Sequence, residues 1–212
     1  MCQLQINVEN RSASQLYTEM SQHQTTYWGS LAVRVPMQNE CLQILGSMDM
    51  PPHIQDHSRL VCRVALALAD GLVAAGFQIN RELVMASALL HDITKPRSFD
   101  TGENHAQTGG EYLAAMGCPE VGSIIRQHVV LDHYFAADYP DEAEVVNYAD
   151  KRVLHDRIVS LDDRMQYILQ RYAKTPERQQ LLQQVWEKTR TLEQRLFAYL
   201  TFTPELLAER LA

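Results

Sequence analysis

Residues 88–113 read ALLHDITKPRSFDTGENHAQTGGEYL. An apolar run closes on a histidine and an aspartate side by side, His91-Asp92. Pro96 follows, and a second histidine, His105, comes soon after. The wider stretch NRELVMASALLHDITKP (residues 80–96) starts at a good cap, Asn80, and is apolar nearly all round. That pattern predicts a central buried helix. Pro96 disfavours helical geometry at Lys95, so His91 and Asp92 fall in or near the last turn. A buried helix therefore ends on two polar side chains.

The neighbours on both sides are helical as well. QDHSRLVCRVALALADGLVAAGF (residues 55–77) carries His57, Leu60, Val61, Val64, Leu68 and Leu72 at spacings of three and four, with Gly76 as a stop. ENHAQTGGEYLAAMGCP (103–119) offers Asn104 as cap with Gln107 three residues on, a capping-box pattern, and ends at Gly117. Pro119 opens PEVGSIIRQHVVLD, where Val121, Ile124, Ile125 and His128 share a face. DEAEVVNYADKRVLHDRI (141–158) reads as a further helix, and Ser160 with Asp163 marks a fresh cap after a break. Thr175-Pro176 and Thr203-Pro204 open two more. The first of these shows Leu182, Val185, Thr189, Leu192 and Leu196 on one stripe. Within residues 1–35, QLQINV and SLAVRV alternate polar and apolar, and SASQLYTEMSQHQTTYW between them suits a helix. The expected class is all-α, with a small N-terminal β appendage.

Composition narrows the function. The chain has 212 residues, 46% hydrophobic and 21% charged, enough for one sizeable core. Its formal charge of −7 and lack of a basic run argue against nucleic-acid binding and against a peripheral membrane protein. No stretch approaches the ~20 apolar residues of a membrane span, and MCQLQINVENRSAS has no apolar signal core. Cys2, Cys41, Cys62 and Cys118 are scattered, so the expectation is a cytoplasmic chain with reduced thiols.

Six polar positions point toward one site. His57 lies in the apolar stripe of its helix, and His128 in the stripe of Val121, Ile124 and Ile125. Asp150 follows Val146 by four and precedes Val153 by three, so it also faces inward. A carboxylate on an apolar face is costly unless a cation or strong hydrogen bonds satisfy it. With His91, Asp92 and His105, the set of four histidines and two aspartates suits one or two divalent metals. The absence of cysteine from this set argues against structural zinc.

These residues carry a resemblance to the HD superfamily of metal-dependent phosphohydrolases, over roughly residues 36–172. LLHDITK (89–95) resembles its leucine-leucine-His-Asp-Ile-x-Lys core. NHAQTGGEYL and IIRQH resemble the segments that bring further ligands. NYADKRVLHDRIVSLDDR (147–164) resembles the helix bearing the last aspartate in a bacterial branch of uncharacterised members. The resemblance implies that His57, His91, Asp92 and Asp150 hold a first metal. It implies that Asp92 bridges to a second, held also by His105 and His128. Many two-metal members have adjacent histidines where this chain reads QHVVLDH, so the second site departs from the pattern. His133 reads as facing solvent.

The implied domains are an N-terminal segment (1–35), the HD domain (36–173) and C-terminal helices packed on it (174–212). The implied activity is hydrolysis of a nucleotide or other small phosphate ester, with Asp92 and Lys95 as catalytic residues. Iron or manganese come first among the metals, with magnesium, cobalt, nickel and zinc as alternatives. No nucleic-acid or membrane partner is expected, and oligomeric state is open. Two other readings stay open: a regulatory module that binds metal and nucleotide without turnover, and an HD-type di-iron oxygenase. Arg97 and Arg126 are phosphate candidates by charge alone. Lys151, Arg152, Asp156, Arg157, Asp162, Asp163 and Arg164 read as solvated or intramolecular pairs.

Overall fold

Capping residues and prolines set the element boundaries in the computed structural model, which describes residues 34–211. The alternating stretches of residues 3–8 and 30–33, and the helix expected between them, lie outside the described residues. Among the described residues, ten α-helices run in order. They are α1 (Gln38–Ser47), α2 (Pro52–Ala74), α3 (Arg81–Leu90), α4 (Lys95–Thr101), α5 (His105–Ala115), α6 (Pro119–Arg126), α7 (Glu142–Lys151), α8 (Leu161–Tyr172), α9 (Pro176–Phe197) and α10 (Leu207–Arg210). A hairpin of β1 (Val153–Leu154) and β2 (Arg157–Ile158) separates α7 from α8, and a 3₁₀ turn, Pro204–Leu206, precedes α10. The class is all-α. Among the described residues no helix is long and apolar enough to cross a membrane.

The caps follow the sequence chemistry closely. The Asn80 side chain accepts from the Leu83 amide, Ser160 from Asp163, and Thr175 from Arg178. Gly76 and Gly117 take left-handed φ values of 96° and 81°, which end α2 and α5. The Asn104 carboxamide accepts from the Ala106 and Gln107 amides, but the box does not close. The Gln107 side chain donates instead to Glu111 one turn on, at 2.7 Å. Thr203 makes no side-chain cap, and its proline opens only the 3₁₀ turn.

One boundary differs more. The helix expected through residue 158 stops at Lys151. Val153 pairs with Ile158 and Leu154 with Arg157, while His155 turns the chain at φ 57°. β-Branched Val153, Ile158 and Val159 favour the extended form, and the ladder is closed by the Val159 amide donating to the Arg152 carbonyl. α6 likewise ends at Arg126, so His128 sits in the turn that follows, its amide bonded to the Ile125 carbonyl.

The core gathers around α2, α3 and α7. Val61, Val64, Leu68 and Leu72 of α2 meet Val84, Leu89 and Leu90 of α3, and Val145, Val146 and Tyr148 of α7. Leu192 and Leu196 of α9 and Leu207 of α10 belong to the same cluster. Cys41, Cys62 and Cys118 are buried and unbridged. α5 and α6 approach so closely that a Cβ on Gly110 would lie 2.6 Å from the Gly122 carbonyl oxygen. That closeness brings the start of α5 and the end of α6 together.

Candidate metal centre

Five segments deliver six side chains to one buried point. His57 comes from the second turn of α2, and His91 and Asp92 from the turn that closes α3. His105 opens α5, His128 follows α6, and Asp150 lies in the last turn of α7. His91, Asp92 and His128 are almost wholly buried; His57 and Asp150 are nearly so. The His105 side chain, 23% exposed, marks the open side.

Asp92 divides the cluster. Its Oδ2 faces the Nε2 atoms of His91 at 3.4 Å and His57 at 4.0 Å. Its Oδ1 faces those of His105 at 3.3 Å and His128 at 3.5 Å. Asp150 Oδ1 completes the first group, 3.2 Å from His57 Nε2 and 3.6 Å from His91 Nε2. The two groups of ligand-type atoms, His57–His91–Asp92 and Asp92–His105–His128, are each tight enough to hold one ion.

The far side of each ring explains why Nε2 points inward. His57 Nδ1 donates to the His155 carbonyl at 3.1 Å, His91 Nδ1 to Ala88 at 2.8 Å, and His128 Nδ1 to Ile125 at 2.7 Å. A carbonyl can only accept, so Nδ1 carries the proton in all three neutral rings and Nε2 keeps its lone pair. Three lone pairs then face carboxylate oxygens, acceptor against acceptor. His91 Nε2 and Asp92 Oδ1 are buried with no hydrogen-bond partner. Such an arrangement is stable only with positive charge among the donors. A divalent transition metal fits that requirement and this donor set.

The electrostatics of the metal-free cluster agree. Burial alone would depress His91, but the Asp92 charge, with Asp150, pushes its imidazole up to about 10. His128, wholly buried, is pulled down to about 4. Burial works against ionising Asp92 and Asp150, yet His91 beside the one and His57 beside the other hold both carboxyls well below their usual range.

A second ring of residues fixes the first. Thr94 Oγ1 donates to the His105 carbonyl at 2.8 Å. Asn147 Nδ2 donates to the carbonyls of Gln127 and His128 at 2.8 and 3.1 Å, and the Lys151 ammonium also reaches the His128 carbonyl. Lys95, at the start of α4, sets Nζ 2.6 Å from Asp92 Oδ2. Arg164 of α8 places Nη2 3.9 Å from Asp150 Oδ1.

Arg164 and Lys151 therefore belong to the site, not to a solvated surface pair. Two features hid them from the sequence: the charge density of residues 151–164, and a hairpin that folds α8 back on the cluster. Arg152 is also buried, bonded to Tyr148, Glu193 and the Val159 and Pro204 carbonyls. Arg97 pairs with Glu103, and Arg126 with Asp132. His133 is exposed.

Residues 54–166 match the HD domain family. Over 156 residues the chain is 31% identical to the tRNA (cytidine(56)-2'-O)-methyltransferase of Picrophilus torridus, a match covering 65% of this chain and 42% of that protein. The chain thus spans less than half the length of that curated relative. Among solved structures, it resembles a predicted HD superfamily hydrolase from an uncultured Thermotogales bacterium. That similarity has a TM-score of 0.43 and 23% identity, over 78% of this chain and 94% of the other. The family match covers more than half of the sequence and runs from before His57 to beyond Arg164, so the chain belongs to the HD domain family.

Proposed function

We propose that the protein is a metal-dependent phosphohydrolase acting on a nucleotide or another small phosphate ester. The observation that carries this is the division of Asp92, one oxygen to His57 and His91 and the other to His105 and His128. His57, His91, Asp92 and Asp150 would hold one divalent cation; Asp92, His105 and His128 would hold another. Bound there, such cations lower the pKa of a water and offset charge on phosphoryl oxygens.

The chain's own residues supply the rest. Asp150 and the three Nδ1-anchored histidines keep the donors in place before substrate arrives. His105, on the open side, marks where substrate enters. Burial lowers the Lys95 pKa, but Asp92 more than reverses this, and the net shift is upward. Lys95 is therefore a charged donor, suited to the leaving oxygen and unsuited to act as a base. The methyl transfer named for the archaeal relative is not carried over, because the aligned segment is a minor part of that longer protein.

Elemental analysis combined with a phosphate-release screen over a nucleotide panel tests the reading. Bound transition metal and chelator-sensitive phosphate release are expected. Asp92→Ala should lose both while its helical circular dichroism stays. A metal-loaded protein that binds nucleotides yet releases no phosphate would move the reading to a regulatory module. Oxygen consumption by a mixed-valent iron form would move it to an oxygenase.

A further inference from the structure

Three cations stand against the two carboxylates of the cluster. Lys95 Nζ lies 2.6 Å from Asp92 Oδ2, Lys151 Nζ 3.8 Å from Asp150 Oδ2, and Arg164 Nη2 3.9 Å from Asp150 Oδ1. The centre is thus cationic before any metal joins it.

The three do not play one part. Lys151 is buried and spends its ammonium on the His128 carbonyl. Lys95 and Arg164 keep 28% and 14% of their side chains exposed. Arg164 approaches Asp150 at a distance too long for a hydrogen bond, and its Nε is buried with no partner.

Its guanidinium is nonetheless held in place. It lies 5.9 Å from the centre of the Tyr167 ring, which meets the His155 ring edge-on at 5.5 Å. The His155 carbonyl in turn accepts from His57. A cavity bounded by Lys151, Arg164, Met165 and Trp186 has a volume of only about 10 Å³. That is room for a single water at most. That cavity is too small for a phosphoryl group, so an anion of that size would reach Arg164 from the metal side.

We propose that Lys95 and Arg164 form a two-armed anion clamp over the His–Asp cluster. The clamp takes a substrate with a phosphoanhydride chain, a di- or triphosphate, in preference to a lone phosphate monoester. The planar fork of arginine matches one phosphoryl group in two places, and lysine adds a point charge. A monoester brings about two negative charges at neutral pH, fewer than Lys95, Arg164 and the two divalent cations of the proposed centre would leave over Asp92 and Asp150. A longer phosphate chain meets that surplus. The proposal takes its site from the hydrolase reading, but its test reads binding.

Calorimetry on the metal-loaded protein should compare methylenediphosphonate, a diphosphate analogue with an unhydrolysable carbon bridge, with orthophosphate. Metal content is measured before and after. The diphosphonate should bind at least about tenfold tighter, the margin expected of one extra charge-assisted bond. Arg164→Gln should erase that margin with metal content and melting temperature unchanged, and Arg164→Lys should restore part of it. Equal affinities in the wild type would overturn the proposal, as would an unaltered margin in Arg164→Gln. Loss of metal together with affinity would also overturn it, because Arg164 would then merely position Asp150. Should the glutamine variant not fold, Arg164→Lys alone decides: an undiminished margin sinks the clamp. Tight diphosphonate binding without any phosphate release would refute the hydrolase reading and leave the clamp standing.

Discussion

Asp92 and His91 form an unusual neighbouring pair, because one side chain must stay ionised while the other gives up a proton to function. With no metal present, the Asp92 and Asp150 charges hold a proton on His91 up to about 10. The sign follows directly. The raised imidazole contributes stability below its ordinary value of 6.5, and that contribution is lost as pH rises through about 10. A metal ligand must be deprotonated, so loading the metal-free protein at pH 8 should release about one proton, from His91. His128, pulled down to about 4, is already neutral there and should release none. Calorimetric titration in buffers of different ionisation enthalpy measures the count, and zero release would contradict this account. His105 and His128 act on the other oxygen of Asp92. His105→Ala should therefore lower the metal-to-protein ratio by about one, the loss expected for one ion of a two-metal pair. A wild-type ratio of one that the substitution leaves untouched would favour a single-ion site.

At the scale of elements, the geometry of His105 and His128 depends on how closely α5 and α6 cross. Gly110 faces the Gly122 carbonyl, and a methyl there has nowhere to go. Gly110→Ala should cost about 1–3 kcal/mol by overpacking. It should also loosen the His105–His128 half of the centre before the His57–His91 half. A variant with normal stability and full metal content would show that the crossing is not what sets the site. This close approach could not be read from QTGGEYL, since small residues in a helix look the same whether or not another backbone touches them. Five of the polar positions were legible because each interrupts an apolar stripe or its end, as His57 does beside Val61 and Val64, whereas His105 stood out only as the first residue of the next helix. The hairpin was not legible. Val153–Ile158 is too short for a clear alternation and follows an amphipathic helix without a break. Missing it also hid Arg164, whose place depends on the turn at His155.

Across the whole molecule, α9 covers the outer side of α7 and ties distant parts of the chain together. Leu192 and Leu196 enter the common core, and Tyr148, Arg152 and Glu193 form a mostly buried polar network between the two helices. The Tyr148 hydroxyl donates to Glu193 and accepts from Arg152, and burial pushes its phenol far above the usual range. Arg152 follows Asp150 by two residues, so disturbance of the network is passed toward the metal centre. Glu193→Ala should remove about 1–3 kcal/mol, the cost of leaving buried partners unsatisfied. For a chain of this length each kcal/mol lowers Tm by about 2–4 °C. Differential scanning calorimetry checks this, and an unchanged Tm would mean that apolar contacts alone hold α9 in place.

The three buried cysteines turn this architecture into a built-in clock. Burial pushes the thiol of Cys41 up to about 12 and that of Cys62 up to about 11, and raises Cys118 as well. None offers an appreciable thiolate near neutral pH, and alkylating reagents react with the thiolate. Each sulfur becomes reactive only while its own surroundings stand open. Cys41 reports on α1, Cys62 on the long helix that carries His57, and Cys118 on the junction of α5 and α6. The order in which the three are labelled is therefore the order in which the protein breathes.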